Sequence, residues 1–350
     1  MRDVRGEADA FSASNTYTPM STLNFHQECV IASEELAEIK RLLREFKRAK
    51  KEAIESGKLE GVQLLGRKIE DRVQALEAKL PCSLSFAETL LGSENVIGPG
   101  KIAQCFGVRL EKAPPIPFSR MDLLRAQELG LMLVLQIDTD ADGNPLTISR
   151  MKTIRNNTTL AGFPLLHEFG KQHYFSNDFY IKEVPLPGWK LVSWDILPET
   201  TQKNYIDQTQ VIVDYYRETF FAGRVIPPLY QAAIDEFSYK KKTIEMMMVS
   251  GRLINRDIGR QETQRLEVTH RMREKAVDIV YRLAFGMQKG DVVPLHLTRS
   301  WSSSIDADGM FVCVGDPDFQ GAGMSSRYMD INVVHDIGCT FAMMRAPEAQ

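Results

Sequence analysis

Cysteine is scarce in this sequence, and its few copies are scattered. There are five cysteines, none of them in a CxxC pair, and their odd number leaves at least one thiol without an intramolecular disulfide partner. Secreted disulfide scaffolds use cysteines in even numbers, and many structural zinc modules carry CxxC pairs. The sequence therefore predicts reduced thiols in a cytoplasmic protein and argues against a fold built on disulfides.

Long apolar runs and an excess of charge of one sign are also missing. No stretch of about 18 apolar residues occurs, so no membrane span is predicted. Residues 1–20 lack the apolar core of a secretory signal, and we expect a disordered leader there. Lys and Arg total 43 against 46 Asp and Glu. This balance argues against a nucleic-acid partner, because nucleic-acid-binding domains usually carry a basic excess.

The hydrophobic fraction of 43% is ample for a buried core, and the first part of the chain has a helical pattern. Apolar residues recur at steps of three and four between residues 33 and 80 and predict two helices within a helical N-terminal region, residues 21–80. They suit an antiparallel hairpin or a coiled coil, so residues 33–80 are a candidate homo-oligomer interface. Residues 81–118 contain Gly98-Pro99-Gly100 and a proline run, which predict an irregular linker.

From residue 119 onward the pattern indicates a mixed domain. Ser119 and Gly130 delimit a predicted helix, and the apolar run Leu131–Asp138 predicts a buried strand. The predicted elements that follow are a helix at 146–154, a strand at 189–194 and a mostly helical region at 200–286.

The end of the predicted strand matches the first half of a calcium loop. Asp138, Asp140, Asp142 and Gly143 have the spacing D-x-D-x-D-G. The twelfth position of the loop is Ser149, where a calcium loop has a bidentate Glu. We favour an ordinary Asp/Gly turn, with a calcium site as the alternative, and predict no metal or cofactor.

The last part of the chain, residues 292–347, consists of short strands and turns. Arg299–Ser304 is a polar strand around one tryptophan, and Met310–Val314 is an apolar strand with β-branched members. The Gly-, Ser- and Asp-rich segment Asp316–Tyr328 predicts a displayed loop. Gly338–Arg345 predicts the last strand.

Residues 297–345 resemble the end of the C-type-lectin-like fold found in formylglycine-generating-enzyme-like proteins and in variable proteins diversified by retroelements. In those families a W-S-S-S-type strand begins the final sheet, and the chain closes on a G-F-R-x-x-R-like strand. The counterparts here are Trp301–Ser304 and Gly338–Arg345. Cys339-Thr340 intervenes after the glycine, and Ala342 stands where the first arginine would be.

The resemblance implies an α+β protein: a helical N-terminal region, then a C-type-lectin-like domain at 119–347 with a helical insertion at 200–286. It also implies that the antiparallel β unit at 292–347 displays a variable surface for a protein or other macromolecular ligand. Aromatic, Ser, Asp and Arg side chains on such a scaffold supply contacts. The candidate ligand-binding residues are Trp301, Ser302, Ser304, Asp306, Met310, Asp316, Asp318, Phe319, Met324, Ser326, Arg327 and Tyr328.

Two alternatives stay open beside the binding protein, which we predict is not an enzyme. The first is a structural or assembly protein of a virus or mobile element, in which the helices oligomerise and the β unit only caps. The second is a metal-dependent enzyme of the formylglycine-generating type, in which Cys313 and Cys339 would hold copper. Both cysteines lie in apolar runs, which favours buried, unreactive thiols.

Overall fold

A computed structural model provides the coordinates, and it divides into two compact units, residues 1–80 and residues 81–350. Both helices and sheets are present, so the predicted α+β class is confirmed. The residues that the structure describes are 37–38, 40–51, 62, 64–69, 82–156, 165–166, 176–249, 252–286, 295, 298–318, 321–327 and 337–344.

The first unit contains helical segments at residues 40–51 and 64–69. Leu42 is buried, and a Cβ added at Gly66 would lie 3.7 Å from the Phe46 ring, so the two segments are in contact. The two predicted helices are therefore confirmed over the described residues. The predicted leader, residues 1–20, lies outside the described residues.

The predicted irregular linker, residues 81–118, is wrong for residues 82–106. These form helix α1 Leu84–Leu91, strand β1 Val96–Ile97 and helix α2 Pro99–Phe106. Residues 107–118, which include the proline run, form no helix or strand apart from an isolated bridge at Ile116. The breakers Gly98 and Pro99 lie at the start of α2. Pro99 occupies the start of α2, where its missing N–H costs nothing, and Gly107 ends this helix with φ 73°.

The elements that follow agree with the predictions from residue 119. The Ser119 hydroxyl and the Asp122 carboxylate form a capping box at the start of a helix, as the sequence indicates. Further helices are α3 Arg120–Glu128, α4 Ile148–Asn156, α5 Asp178–Ile181, α6 Tyr205–Asp214 with a π-helical turn at Tyr215–Phe220, α7 Pro228–Val249, α8 Leu253–Arg265, α9 Glu267–Arg271 and α10 Ala276–Gly286. Further strands are β2 Leu131–Gln136, β3 Gly188–Ser193, β4 Arg299–Ile305, β5 Phe311–Asp318, β6 Gly321–Arg327, β7 Ile337–Gly338 and β8 Ala342–Met344.

The first sheet has the strand order β1-β2-β3-β8. β1 runs parallel to β2, and β3 pairs antiparallel with both β2 and β8. All six residues of β2 are buried, which explains its unbroken apolar sequence. β2 and β3 thus share a sheet with β8, near the end of the chain. Most of the helices lie between β2 and β8 in sequence.

The second sheet has the order β6-β5-β4-β7. Its first three strands are antiparallel neighbours, and β7 runs parallel to β4. Two predictions are corrected here. Most of the expected loop after Asp316 is strand, because Gly321–Arg327 pairs with β5. The expected last strand Gly338–Arg345 is split, with β7 in the second sheet and β8 in the first.

Side chains hold the crossing between these two short strands. The Thr340 N–H donates to Ser300 Oγ at 3.2 Å, and the Phe341 N–H donates to Ser193 Oγ at 2.9 Å. The Phe341 ring packs against Tyr216 at 4.8 Å between ring centroids. The chain leaves one ladder for the other because hydroxyls in both sheets replace the lost backbone partners.

Helix α10 joins the two sheets. Its residues Ala276–Phe285 are buried, and the helix packs against β2, β4 and β5. The Tyr281 hydroxyl donates to the Leu135 carbonyl at 3.0 Å. A helix buried along its length fixes the second sheet relative to the first.

The calcium-like segment forms a compact turn. Asp140 Oδ1 accepts hydrogen bonds from the N–H groups of Asp142 and Asn144, both at 2.9 Å. The Arg150 guanidinium pairs with Asp140 and lies 3.1 Å from Asp142. This is the favoured Asp/Gly turn, in which an arginine from α4 balances the carboxylates. Among the described residues, no group of three or more His, Cys, Asp or Glu side chains could hold a metal ion.

Candidate ligand-binding site

Four of the predicted ligand-binding residues are buried, which corrects their predicted display at the surface. Trp301, Ser302, Ser304 and Asp306 expose 2%, 0%, 2% and 7% of their surface. They are buried because β4 lies between β5 and β7 in the sheet, and because α6 and α10 pack against it.

Trp301 anchors the second sheet to the helical region. The Tyr205 ring of α6 contacts Trp301 at 5.7 Å and stacks on Phe311 at 4.0 Å between centroids. The Arg273 guanidinium lies 3.8 Å from the centroid of the Tyr205 ring. This aromatic stack holds the middle of β4 and the start of β5 against the helical region.

The two buried serines act as hydrogen-bonding struts. Ser302 Oγ donates to the Val312 carbonyl at 2.8 Å, where the ladder between β4 and β5 is irregular. Ser304 Oγ accepts from the Ala276 N–H at 3.0 Å and donates to Glu183 Oε2 at 2.5 Å. The polar strand that looked like a contact surface is therefore internal, with its hydroxyls satisfied by other elements.

Asp306 shapes the turn between β4 and β5. Its Oδ1 accepts from the N–H groups of Asp308 at 3.0 Å and Met310 at 2.9 Å. Asn177 Oδ1 accepts from the Ala307 N–H at 2.5 Å, and Gln264 Nε2 donates to the Gly309 carbonyl at 3.3 Å. Three separate parts of the chain thus hold this turn in one conformation.

Around these supports the turn presents side chains to solvent. Ile305 is 37% exposed, Ala307 and Asp308 are exposed, and Met310 is half-buried. The end of β6 lies alongside, because Arg327 pairs with Phe311 and Ser326 with Val312. We call the turn 305–310 together with strand positions 326 and 327 the display end.

The display end contains residues that the sequence reasoning missed. Ile305 and Asp308 were not among the candidates, although both are exposed. The position of Ile305 at the end of β4 and the Asp-Ala-Asp-Gly turn that follows were the signals available. Both signals become clear only when the faces of the strand are known.

The other predicted residues do not join this cluster. Asp316 and Asp318 lie in β5 near the opposite end of the hairpin, roughly 20 Å away at about 3.3 Å per residue. Met324 is half-buried and pairs with Val314 in between. Phe319 and Tyr328 lie outside the described residues. The twelve candidates are thus distributed over core, two hairpin ends and residues without a description.

A network of buried ion pairs lies beneath β4 and along α10. Arg282 donates to both carboxylate oxygens of Glu274, at 3.0 and 2.7 Å, and Glu274 Oε2 also accepts from the Thr340 hydroxyl at 2.6 Å. Lys190 in β3 pairs with Asp278 at 2.8 Å. All four charged side chains are at least nine-tenths buried. Such pairs hold elements in one register because a misplaced charge would be left unpaired.

Glu183, which receives the Ser304 hydroxyl, lies at the edge of this network. Burial raises the pKa of the Glu183 carboxyl, and the charge of Asp278 raises it further, although Ser304 and Lys275 act in the opposite direction. The folded state therefore favours the protonated carboxyl more than the unfolded chain does.

The Glu183→Gln variant tests this. A carboxyl with a raised pKa in the folded state makes the native protein less stable as the pH rises from the unfolded pKa through the folded one. Glutamine removes that loss and still accepts from Ser304. We expect the variant and the natural protein to match below the unfolded pKa, and the variant to gain relative stability above it. Urea unfolding across the acid range measures the difference, and parallel stability curves would contradict the expectation.

The two cysteines of the copper alternative are packed as core side chains. Cys313 and Cys339 are fully buried, and burial raises the pKa of the neighbouring Tyr205 hydroxyl. Burial also raises the pKa of the Cys339 thiol, and it raises that of Cys105 to about 12. This environment favours neutral thiols.

Comparison with protein families, with curated proteins and with solved structures finds no match for this chain. None of the helices in the described part of the chain combines the length and the apolar composition needed to cross a bilayer. The proposed function therefore rests on the geometry of the display end and of the residues that support it.

Proposed function

We propose that this chain is a binding protein and that its display end contacts a protein or other macromolecular ligand. The observation that carries the proposal is the turn 305–310. Its exposed side chains are held in place because Asp306 and Asn177, which are buried, and Gln264, which is half-buried, fix the backbone of the turn. A contact surface fixed before binding loses little conformational entropy when the ligand binds.

The chemistry of the display end suits a polypeptide ligand. Ile305 and Met310 offer apolar surface, and Asp308 offers a carboxylate. The sequence adds a serine and an arginine at positions 326 and 327 of the neighbouring strand. Apolar and acidic side chains on a rigid turn suit contact with a polypeptide ligand.

The resemblance to C-type-lectin-like variable proteins adds to the proposal. In the first sheet β8 pairs with β3, and a long, mostly helical stretch separates β3 from β4 in sequence. This arrangement is compatible with a lectin-like domain that carries a helical insertion. We propose that the chain belongs to the retroelement-diversified kind, in which a stable scaffold carries replaceable contact residues.

The gene itself tests this proposal. We expect a near-copy of the final coding stretch beside the gene, differing mainly at adenines, together with a reverse transcriptase. The differing codons should fall on the display end, above all 305, 308 and 327, and spare the supports Trp301, Ser302 and Asp306. Absence of the copy, or differences concentrated on the supports, would count against the retroelement proposal.

A pair of aspartate variants tests the separation of supports from display on the protein itself. Asp306→Ala removes the acceptor of two backbone N–H groups, and we expect a loss of about 1 to 3 kcal/mol in the free energy of unfolding. Asp308→Ala, two residues away and exposed, should stay within about 0.5 kcal/mol of the natural protein. Urea unfolding measures the free energy of unfolding of both variants. An equal cost at the two positions would contradict the division of the turn into supporting and displayed residues.

A further inference from the structure

A second surface, far from the strands in sequence, lies where α7 ends and α8 begins. Five large apolar side chains are exposed there, and we call them the apolar tip. Met246 is 60% exposed, Val249 66%, Leu253 75%, Ile254 72% and Ile258 42%. Isolated exposed apolar residues are ordinary on protein surfaces, but a group of five at one helix junction indicates an interaction site.

The apolar tip does not result from poor packing between α7 and α8. Ile244 and Met248 form the inner side of α7 and are buried. Gly259 of α8 lies so close to α7 that a Cβ there would meet Met248 Sδ at 3.0 Å and Met247 Cβ at 3.3 Å. The two helices are thus already closely packed on their facing sides, and the apolar tip projects from the other side.

Basic residues flank the apolar tip along the chain. Two acidic residues, Glu245 and Asp257, lie in the span 240–260, and both pair with cations, Glu245 with Lys241 and Asp257 with Arg260. The six basic residues of this span are Lys240, Lys241, Lys242, Arg252, Arg256 and Arg260, and Lys240 pairs with Glu236 just before the span. The span thus has four more basic than acidic residues, although the whole chain carries a net charge of -3.

We propose that the apolar tip and its basic surround bind the surface of an anionic lipid bilayer. Four of the five tip side chains are more than half exposed, so they project from the surface and do not line a groove, and the tip suits insertion between lipid headgroups. Lysines and arginines beside an apolar group are attracted to acidic headgroups. A second copy of the chain is disfavoured as the occupant, because self-association would bring two basic surfaces together.

Vesicle co-sedimentation of the full chain tests the proposal. Binding is expected to vesicles of phosphatidylcholine with phosphatidylserine, to be much weaker with phosphatidylcholine alone, and to fall as salt is raised. Lys242→Glu should weaken binding roughly 30-fold, from about fivefold for each charge unit near the surface. The pair Leu253→Ser and Ile254→Ser should weaken it by at least about tenfold through lost apolar insertion.

The matched control is Val225→Ser. Val225 lies just before the start of α7, at the end away from the apolar tip, and its side chain is 88% exposed. This variant should leave vesicle binding unchanged, and circular dichroism should show all variants folded. Any one of four results overturns the proposal. The first two are no binding to the acidic vesicles, and binding by the tip variants equal to that of the natural protein. The third is a lower mass in light scattering for the tip variants only, which would identify a self-association surface. The fourth is binding of polyglutamate through Leu253 without vesicle binding, which would favour an acidic protein partner.

Discussion

Replacing Arg282 by methionine is expected to destabilise the native state by about 3 to 5 kcal/mol, because it leaves the Glu274 carboxylate buried without its cation. Both side chains are almost completely buried, so water cannot replace the lost partner. Arg282 also donates to the Ser193 carbonyl at 3.0 Å, which would lose this bond. Urea unfolding of the two proteins gives the difference in free energy.

An exposed pair offers the matched control. Arg271 and Glu267 form an ion pair at 2.7 Å, with exposed fractions of 38% and 50%. Arg271→Met should cost less than about 1 kcal/mol, since solvent screens such pairs. The double variant Arg282→Met with Glu274→Leu should recover most of the loss, because no unpaired buried charge remains. A double variant as unstable as the single one would show that the ion pair itself, and not the stranded charge, determines stability.

The strands were predictable where their sequence depends on burial alone. β2 is apolar at nearly every position because both of its faces are covered, and β3 follows a Pro-Gly turn. The start of α3 was predictable for a local reason, because its cap lies within four residues. Signals of this kind involve neighbours in sequence, so they can be recognised without the fold.

The misassigned segments depended on distant partners. Ser302 and Ser304 look like surface residues in sequence, yet their partners are the carbonyl of Val312 on the next strand and Glu183, 121 residues away. The same holds for Lys190, which lies between Trp189 and Leu191 in a buried strand and finds its acid on α10. A charged residue inside an apolar strand indicates a buried partner, but the sequence does not identify that partner.

The breakers of residues 81–118 show a different limit. Proline and glycine stop helices, and the same residues also begin and end them. Pro99 and Gly107 delimit one helix of eight residues whose apolar positions Ile102 and Phe106 are buried. A helix this short has too few apolar positions for the hydrophobic period to predict it.

The buried network connects the two sheets to the display end. Glu274 binds Arg282 and Thr340, its carbonyl accepts from the Ser303 N–H at 2.9 Å, and two residues later the Ala276 N–H donates to Ser304. The start of α10 therefore positions β4, and β4 leads into the turn 305–310. A defect in the network should reach the display end through this strand.

Gly315→Ala is expected to cost about 2 to 5 kcal/mol and to disturb the sheet that carries the display end. Gly315 has φ 148°, a conformation that alanine rarely adopts. An added Cβ would also lie 2.4 Å from the Thr298 carbonyl oxygen and 2.8 Å from Arg299 Cα. Both atoms belong to backbone at the start of β4, so the overlap can be relieved only by separating the two strands. Urea unfolding and the near-ultraviolet circular dichroism of the buried aromatic side chains, Trp301 among them, report the change.

Gly309→Ala separates the two causes of this loss. Gly309 also has a positive φ, 73°, but a Cβ added there would meet no atom within 4 Å. Its substitution should cost only the conformational part, about 1 to 2 kcal/mol, and leave the near-ultraviolet circular dichroism unchanged. A larger loss at Gly315 than at Gly309 assigns the difference to the contact between β5 and the start of β4. Equal losses would mean that the start of β4 moves away from an added Cβ at position 315 without a loss in free energy. The second sheet would then be less rigid than a fixed display surface needs.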